Sequence, residues 1–304
     1  MDHKNVSLIT YFFITGISDD PFVFLLVLLI YLMTLGGNIT IFLLICFDNH
    51  LHTPMYFFLA NLSILDISCS TITFHKIFTY FISGDNIVSV HQCLVQIIVF
   101  LLFSCYELLV LAVMGYDRYV AICKPLHYNL LMNFKRCALL VVICWICGIF
   151  EYLTFIIEIF KLTCFKSNKM DHFFCDIIPF LNLTCNDISF LQLYIYIVGG
   201  LVVGFIPFFL IFISYIFIIG TILSIRSSTG RRKAFYTCSS HLTVVICFYT
   251  SLSLQYVTPS SARNLDISKY LSLLNGAAVP FLNPLIYSLK NKDVKAAIRR
   301  SMRR

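Results

Sequence analysis

Apolar residues are gathered into seven long runs along the chain, and short polar segments separate one run from the next. A helix needs about 20 apolar residues to cross the hydrocarbon core of a bilayer, and each run reaches that length. The pattern therefore predicts an all-α membrane protein, built as a bundle of seven transmembrane helices. The predicted spans are Phe22–Cys46, Met55–Phe78, Cys93–Met114, Ala138–Phe160, Ile188–Ile225, Ala234–Thr258 and Tyr270–Leu289.

The segments outside these runs are short, so the pattern predicts a single domain over residues 1–304. Residues 1–21 form an outer tail, 22–289 the helix bundle and 290–304 an inner tail. Apolar residues lie among many cations in the inner tail, which favours a short amphipathic helix on the anionic inner leaflet. A solvated basic tail is the alternative.

The cations set the orientation, because loops on the cytoplasmic side of a membrane protein carry an excess of Lys and Arg. They are concentrated on the side where the third run ends, whereas cations on the opposite side are interleaved with acids. The N-terminus is therefore predicted to lie outside, and the net charge of +7 indicates topology, not a surface for nucleic acid. The first run is too long for a cleavable signal peptide and lacks a basic lead, so we expect it to direct its own insertion.

The composition excludes a soluble domain, since 59% of the residues are hydrophobic and only 12% are charged. A small-molecule transporter would show inverted repeats, and the sequence has no visible repeat. A membrane enzyme would need a convergent catalytic set, whereas the eight histidines are scattered. We therefore expect neither an enzyme nor a bound cofactor.

Thirteen cysteines are divided between the two sides of the predicted membrane, and most are interpreted as small packing residues in the spans. Four lie on the oxidising side, and four cysteines allow three pairings that spacing alone leaves open. They are Cys93, Cys164, Cys175 and Cys185. A zinc site at His172 and Cys175 is the weaker alternative, because further ligands are missing.

Charged residues mark two places within the predicted spans. Asp117-Arg118 ends the third run, where each charge has a neighbour and the arginine can meet a cytoplasmic partner at the mouth of the bundle. Asp66 and Glu107 lie mid-span, at a cost of a few kcal/mol each if they stay unpaired. The pattern favours a receptor switch. Glu151 faces either the interior or the lipid, and the sequence leaves both open.

Five motifs follow one another along nearly the whole chain and together resemble the vertebrate odorant receptors. That family is a branch of the rhodopsin-like G-protein-coupled receptors, and the short outer loop between helices six and seven resembles its tetrapod-type class. The motifs are LHTPMYFFLANLS at 51–63, MGYDRYVAICKPLHY at 114–128, SY at 214–215, KAFYTCSSHL at 233–242 and PFLNPLIYSL at 280–289.

The resemblance implies particular covalent features on the outer side. It selects the disulfides Cys93–Cys175 and Cys164–Cys185, and it implies a glycan on Asn5 in the outer tail. Asn182 begins a second outer sequon, which lies close enough to an implied disulfide to be blocked.

The resemblance also implies that small, largely apolar odorants bind between the outer halves of helices three, five and six. Asp66, Glu107 and Asn283 would form a sodium or water-linked polar site; a neutral, hydrogen-bonded acid pair without an ion is the alternative. No other metal is expected. The corresponding pocket residues are Phe100, Leu101, Ser104, Cys105, Gly199, Gly200, Val203, Leu252, Ser253 and Tyr256.

On the inner side, the resemblance implies a switch that activates a stimulatory olfactory G protein and, through it, adenylyl cyclase. It places the protein in the plasma membrane of sensory cilia, in contact with lipid. An odorant-type chemoreceptor used outside the olfactory epithelium is the nearest alternative. The implied switch residues are Asp117, Arg118, Tyr119, Tyr215, His241, Tyr249 and Tyr287.

Overall fold

The computed structural model describes residues 9–18, 20–256 and 265–302. This part of the chain forms a bundle of long helices followed by one short helix, and we number them in chain order. They are α1 (Pro21–Phe47), α2 (Pro54–Ser83), α3 (Val90–Cys123), α4 (Phe134–Ile159), α5 (Ser189–Ser224), α6 (Ser228–Tyr256), α7 (the consecutive segments Leu265–Leu273, Leu274–Ala278 and Val279–Lys290) and α8 (Lys292–Ser301). Short unnumbered helices in the loops span Asn49–Leu51, Pro125–His127, Tyr128–Leu131 and Ile177–Leu183.

Within the described residues, α1 to α6 are each long and apolar enough to cross a membrane. The seventh predicted run corresponds to α7, which is continuous through its three segments. The predicted bundle of seven membrane helices is therefore confirmed.

Local signals in the sequence explain where these helices begin and end. Asp20 caps α1 by accepting a hydrogen bond from the backbone N–H of Phe22, and Ser89 and Gln92 form a reciprocal capping box at the start of α3. Gly84 ends α2 with a φ of 69°, a left-handed conformation that glycine adopts at little cost. Such caps let α2 and α3 extend beyond the apolar runs that predicted them.

Two of the membrane helices contain π-helical turns. In α5 the π-helix spans Ile195–Phe205, and in α7 it spans Leu274–Ala278. Each stretch contains glycine, and a proline follows two residues later, Pro207 in α5 and Pro280 in α7. Proline has no backbone N–H to donate and glycine resists distortion little, so both favour a break in the regular α-helical ladder.

A small sheet covers the outer end of the bundle. Its strands are β1 (Tyr11–Ile14), β2 (Ile87–Ser89) and β3 (Lys169–Met170), in the order β2-β1-β3. The first strand pairs antiparallel with β2 and parallel with β3. Residues 11–14 are therefore paired with strands from two distant loops.

The core and the outer surface of the bundle differ as expected for a protein in lipid. Helix α3 packs against α2, α4, α5 and α6, and it buries side chains along most of its length. Large apolar side chains on α1, α4 and α5 are exposed, among them Leu29, Phe150 and Phe212. In a bilayer these side chains face hydrocarbon, so their exposure carries no penalty.

The predicted amphipathic helix is present as α8. Its apolar Val294 and Ala297 are each 1% exposed, against the inner ends of the membrane helices. The Arg300 guanidinium bonds the Asp48 carboxylate at 2.6 and 2.9 Å, across the turn between α1 and α2. This ion pair connects the end of α8 to the turn after α1 and lowers the pKa of Asp48 to about 2.

Candidate functional site

Two disulfides hold the long loop between α4 and α5. Cys93 at the top of α3 is bonded to Cys175, and Cys164 is bonded to Cys185 within the loop. These are the bonds implied by the family resemblance. They lie at the same end as the small sheet, and disulfides persist on the oxidising side of a membrane. That end is therefore extracellular.

The disulfide between Cys93 and Cys175 removes the zinc alternative, because Cys175 has no free thiolate to offer a metal. His172 is buried and its Nδ1 lies 3.1 Å from the backbone oxygen of Phe174. Across the described residues, no group of three or more His, Cys, Asp or Glu side chains is placed to hold a metal ion.

A buried polar cluster joins the outer loop to α6 and α7. The Asp176 carboxylate accepts hydrogen bonds from the Gln255 amide and the Ser272 hydroxyl, both at 3.1 Å. Asn275 donates to Gln255 at 2.7 Å and accepts from Ser251 at 3.0 Å. No motif in the sequence predicted this cluster. Its one available signal was that Ser251 and Gln255 lie four residues apart, on one face of a helix.

The predicted ligand-pocket residues are not all placed in the interior. Phe100, Cys105 and Val203 are buried, and the Phe100 ring contacts Phe174 of the outer loop, with ring centroids 5.4 Å apart. A second group is half-buried: Leu101, Ser104, Gly199 and Leu252. The side chain of Tyr256 lies outside the part of the chain that the structure describes.

Two of the predicted pocket residues are not buried. Ser253 and Gly200 are exposed on the outer surfaces of α6 and α5. In an α-helix, residues two apart point in widely different directions, so the burial of Ser251 and Gln255 turns Ser253 away from the interior. Gly200 lies in the π-helical stretch, where the residues that face inward follow a different period.

Midway through the bundle, Asp66, Glu107 and Asn283 come together as predicted. Asn283 donates to both oxygens of Asp66, at 3.0 and 3.1 Å, and Glu107 lies close enough to interact with both residues. Buried oxygens here have no hydrogen-bond partner: Oε1 of Glu107, Oδ1 of Asn283 and the hydroxyl of Ser70, one turn along α2 from Asp66. The hydroxyl of Ser104, one turn before Glu107 in α3, donates to the backbone oxygen of Phe100 and not to this site.

At the inner end of α3, Arg118 is held by its neighbour. Its Nη2 contacts Oδ2 of Asp117, and its Nε donates to the same oxygen at 3.0 Å. Tyr128, in the following loop, donates to the other Asp117 oxygen at 2.9 Å. Burial raises the pKa of Tyr128, so its phenol stays protonated as a donor.

A second set of inner hydrogen bonds joins three helices. His241 of α6 lies 3.1 Å from the backbone oxygen of Leu111 in α3 and 2.9 Å from the hydroxyl of Tyr215 in α5. Tyr215 also donates to the backbone oxygen of Cys238 at 3.1 Å. These bonds hold the inner half of α6 against α3 and α5.

The remaining switch residues lie around this centre. Tyr249 donates to the backbone oxygen of Gly204 in the π-helical stretch of α5, at 3.3 Å. Tyr287 is fully buried, and its hydroxyl has no partner. Tyr119 is half-buried on the inner part of α3, with its ring 6.0 Å from that of Phe217 and 5.8 Å from the Lys124 ammonium.

The loop after α3 also offers a surface that the sequence analysis did not single out. A groove of about 420 Å³ is lined by Cys123, Lys124, Pro125, Leu126, His127 and Leu131. Within it, the apolar Leu126 is 96% exposed. Its signal in the sequence was an apolar residue in a short cationic loop next to Asp117-Arg118.

Comparisons with known proteins agree with this geometry. The family model described as "Olfactory receptor" matches residues 27–304. The chain belongs to the olfactory receptor family. It is 42% identical to human (Homo sapiens) olfactory receptor 6C1, with 97% of this chain and 95% of the relative covered. It is 44% identical to mouse (Mus musculus) olfactory receptor 5G9, with 99% of this chain and 97% of the relative covered. It is 41% identical to mouse olfactory receptor 1M1, with 100% of this chain and 98% of the relative covered.

Membership of the olfactory receptor family identifies a multi-pass odorant receptor of the plasma membrane that couples to a G protein. It is not an enzyme, and the transporter alternative is not favoured. The predictions of family and function are confirmed.

Proposed function

We propose that this olfactory receptor binds a small, largely apolar odorant beneath the outer loop, between α3, α5 and α6. The proposal is supported by the burial of Phe100, Cys105 and Val203 in α3 and α5. It is also supported by the contact of the Phe100 ring with Phe174 of the outer loop. Apolar lining with a few hydroxyl and thiol groups suits such a ligand. The lining residues we propose are Phe100, Leu101, Ser104, Cys105, Gly199, Val203 and Leu252, with Tyr256 as a further candidate.

Odorant binding shifts α6 outward at its inner end and exposes Arg118 to the G protein. The observation that carries this mechanism is the set of hydrogen bonds through His241, which joins α6 to Leu111 of α3 and Tyr215 of α5. The ligand drives the shift only through its higher affinity for the open state. The switch consists of Arg118, Tyr215 and His241 together with Asp117, Tyr119, Tyr249 and Tyr287.

The partner on the inner side is a stimulatory G protein of the olfactory type, acting on adenylyl cyclase in sensory cilia. Cationic residues and the exposed Leu126 beside Arg118 suit an interface with a protein that presents both acidic and apolar side chains. Anionic lipid of the inner leaflet attracts the basic face of α8. Residues 1–304 act as one receptor domain, with a glycan on Asn5, which lies outside the described residues.

Asp66, Glu107 and Asn283 suit a sodium ion. Hard cations prefer oxygen ligands, and the two unpartnered oxygens of Glu107 and Asn283 lie beside the Asp66 carboxylate. These carboxylate and amide oxygens, with the Ser70 hydroxyl, would hold the ion and balance the buried acids. Movement of Asn283 in α7 would then alter the site, so the ion would favour one arrangement of the bundle.

A cyclic-AMP reporter in cells that display the receptor, challenged with a chemically broad odorant panel, tests the proposal. We expect at least one apolar odorant to raise cyclic AMP in a dose-dependent way. Val203→Phe fills the proposed pocket and should lower potency by tenfold or more, because an extra ring in a packed site costs about 1–3 kcal/mol.

Leu201→Phe is the matched control, since Leu201 is 55% exposed on the same π-helical stretch. Equal loss of potency in both variants would argue against a pocket at Val203. A receptor that reaches the surface and raises cyclic AMP with no odorant of the panel would count against the function itself.

A further inference from the structure

One carboxyl group in the membrane is left without a strong partner. Among the acids of the membrane spans whose side chains the structure describes, Asp66 is bonded to the Asn283 amide, Asp117 to Arg118, and Glu158 to Lys161 at 2.6 Å. Glu107 belongs to the Asp66 site. The remaining acid is Glu151 of α4, and no cation or amide of the described residues is bonded to it. Acidic residues in membrane spans are costly, and they mark functional sites more often than not.

The surroundings of Glu151 form a small polar site at the junction of α3, α4 and α5. The Cys105 thiol donates to its Oε2 at 3.3 Å. Tyr194 is the last residue before the π-helical stretch of α5. Its hydroxyl donates its one proton to the backbone oxygen of Glu151, so it does not donate to the Glu151 carboxyl group. Glu151 is half-buried, and its neighbour Phe150 is 72% exposed toward the lipid.

These contacts determine which hydrogen bond the site lacks. A carboxyl group in hydrocarbon without a counter-ion is favoured in its neutral, protonated form, because an isolated charge there is very costly. Its Oε2 accepts from the thiol, which is a weak donor. The proton is then carried by Oε1. That oxygen presents an O–H donor, and no side chain of the described residues is hydrogen-bonded to it.

We propose that Glu151 is a specificity-determining residue that donates a hydrogen bond to the carbonyl oxygen of a small ketone or aldehyde. The inference deepens the proposed function, since Cys105 lies in the proposed odorant pocket and links that pocket to Glu151. The half-exposed position lets such a ligand, dissolved in the bilayer, reach the acid from the side of α4. Carbonyl compounds accept hydrogen bonds and donate none, so they match a lone O–H donor.

Infrared difference spectroscopy of the purified receptor in lipid nanodiscs tests the hydrogen bond directly. A protonated carboxylic acid has a C=O stretch that is separate from that of a carboxylate. We expect one acid band to be present in the wild type and absent in Glu151→Gln. Adding 2-heptanone or cyclohexanone should move that band to lower frequency, whereas heptane and cyclohexane should leave it in place.

Two outcomes would overturn the proposal. If the ketones leave the Glu151 band unchanged, the acid does not bind a carbonyl group. If 2-aminoheptane abolishes the band by taking its proton while the ketones do nothing, the site recognises amines instead. Glu158→Gln is the control, because Glu158 is paired with Lys161 outside this site and its loss should leave the band unaltered.

A cyclic-AMP assay with the same ketones adds a second readout. Glu151→Leu should lower ketone potency by about tenfold, the upper range for one hydrogen bond. Glu151→Gln keeps an N–H donor at that position and should retain most of the potency. If the infrared shift occurs but no odorant raises cyclic AMP, the ligand site stands and the proposed signalling function fails.

Discussion

The outer and inner ends of this bundle are held together by different kinds of interaction. At the outer end, two disulfides, a three-stranded sheet and the ion pair of Lys269 with Asp171 tie the loops to the helices. At the inner end, α6 is held to α3 and α5 through side-chain hydrogen bonds at His241 and Tyr215. A native disulfide contributes about 2–5 kcal/mol, whereas one hydrogen bond contributes about 0.5–1.5 kcal/mol.

This difference indicates which end can change shape. The outer end keeps its arrangement unless covalent bonds are broken, so it can present a constant lid to the ligand. The inner end can open once a few hydrogen bonds are replaced by contacts with a protein partner. A receptor needs this division, because the ligand site must stay formed while the cytoplasmic surface moves.

The largest expected effect comes from breaking the outer end. Cys175→Ser removes the bond between residues 82 positions apart, and we expect almost complete loss of surface delivery, measured with an N-terminal epitope tag. Cys164→Ser removes the bond between residues 21 positions apart, and we expect a smaller loss of surface delivery. In the chain-entropy model, a bond that closes this shorter loop stabilises the fold by about 1 kcal/mol less. Undiminished delivery of Cys175→Ser would show that the bond is dispensable.

Cys247→Ser is the control for these variants, since Cys247 is a free, half-buried cysteine of α6. Its surface level should stay close to that of the wild type.

The next largest effect concerns the inner end alone. Arg118→Ala should abolish odorant-stimulated cyclic AMP and leave surface expression intact, because it removes the proposed contact for the G protein. Arg136→Ala is the comparison variant, with an exposed arginine on the same side of the membrane. Normal cyclic-AMP output from Arg118→Ala would refute the switch assignment.

A smaller effect is expected from weakening the hydrogen bonds that hold α6. Tyr215→Phe removes the hydroxyl that contacts His241 and Cys238. Losing about 1 kcal/mol from the closed state should raise basal cyclic AMP about fivefold. Ser214→Ala alters the half-buried neighbour, whose hydroxyl donates to the backbone oxygen of Leu210 within α5, and should leave basal output unchanged. Basal output that falls in Tyr215→Phe would mean that Tyr215 stabilises the open state instead.

The smallest effect concerns the docking of α8. The Arg300 side chain lowers the pKa of Asp48 to about 2, below the usual 3.8. The contribution of this carboxylate to stability is therefore complete above pH 4 and is lost as the pH falls toward 2. Hydrogen exchange of α8 should therefore be insensitive to the ionisation of Asp48 between pH 5 and 7. Arg300→Gln should speed exchange a few-fold at most, because an ion pair this exposed contributes little.

Arg299→Gln is the matched control, with an exposed arginine one residue away on α8. If both variants speed exchange equally, the Asp48 contact has no specific role in holding the helix.

The helices of the bundle could be predicted because each leaves a strong local signal. A membrane span is a continuous apolar run, and α8 combines apolar positions at helical spacing with cations between them. The disulfide pairs could not be obtained from spacing, and only the family resemblance selected them. Asp117-Arg118 was identified from the cost of placing charges at a helix end within a membrane protein.

The features that were missed depend on contacts between distant segments. The strands of the outer sheet are four, three and two residues long, and their partners lie in loops far apart in the sequence. The Asp176 cluster likewise joins a loop to α6 and α7. The outward direction of Ser253 could not be predicted from the family position alone, because it depends on the helical phase that Ser251 and Gln255 determine.

The π-helical stretch of α5 has a consequence for how a signal can travel along that helix. Residues in an ordinary α-helix follow one another by about 100° around the axis, and by about 1.5 Å along it. Conversion of one wide turn to a regular one would twist the cytoplasmic half of α5 by roughly one such step. Tyr215 would then swing away from His241. A ligand bound beside Val203, within the wide turns, would thus act on the segment that sets the direction of Tyr215.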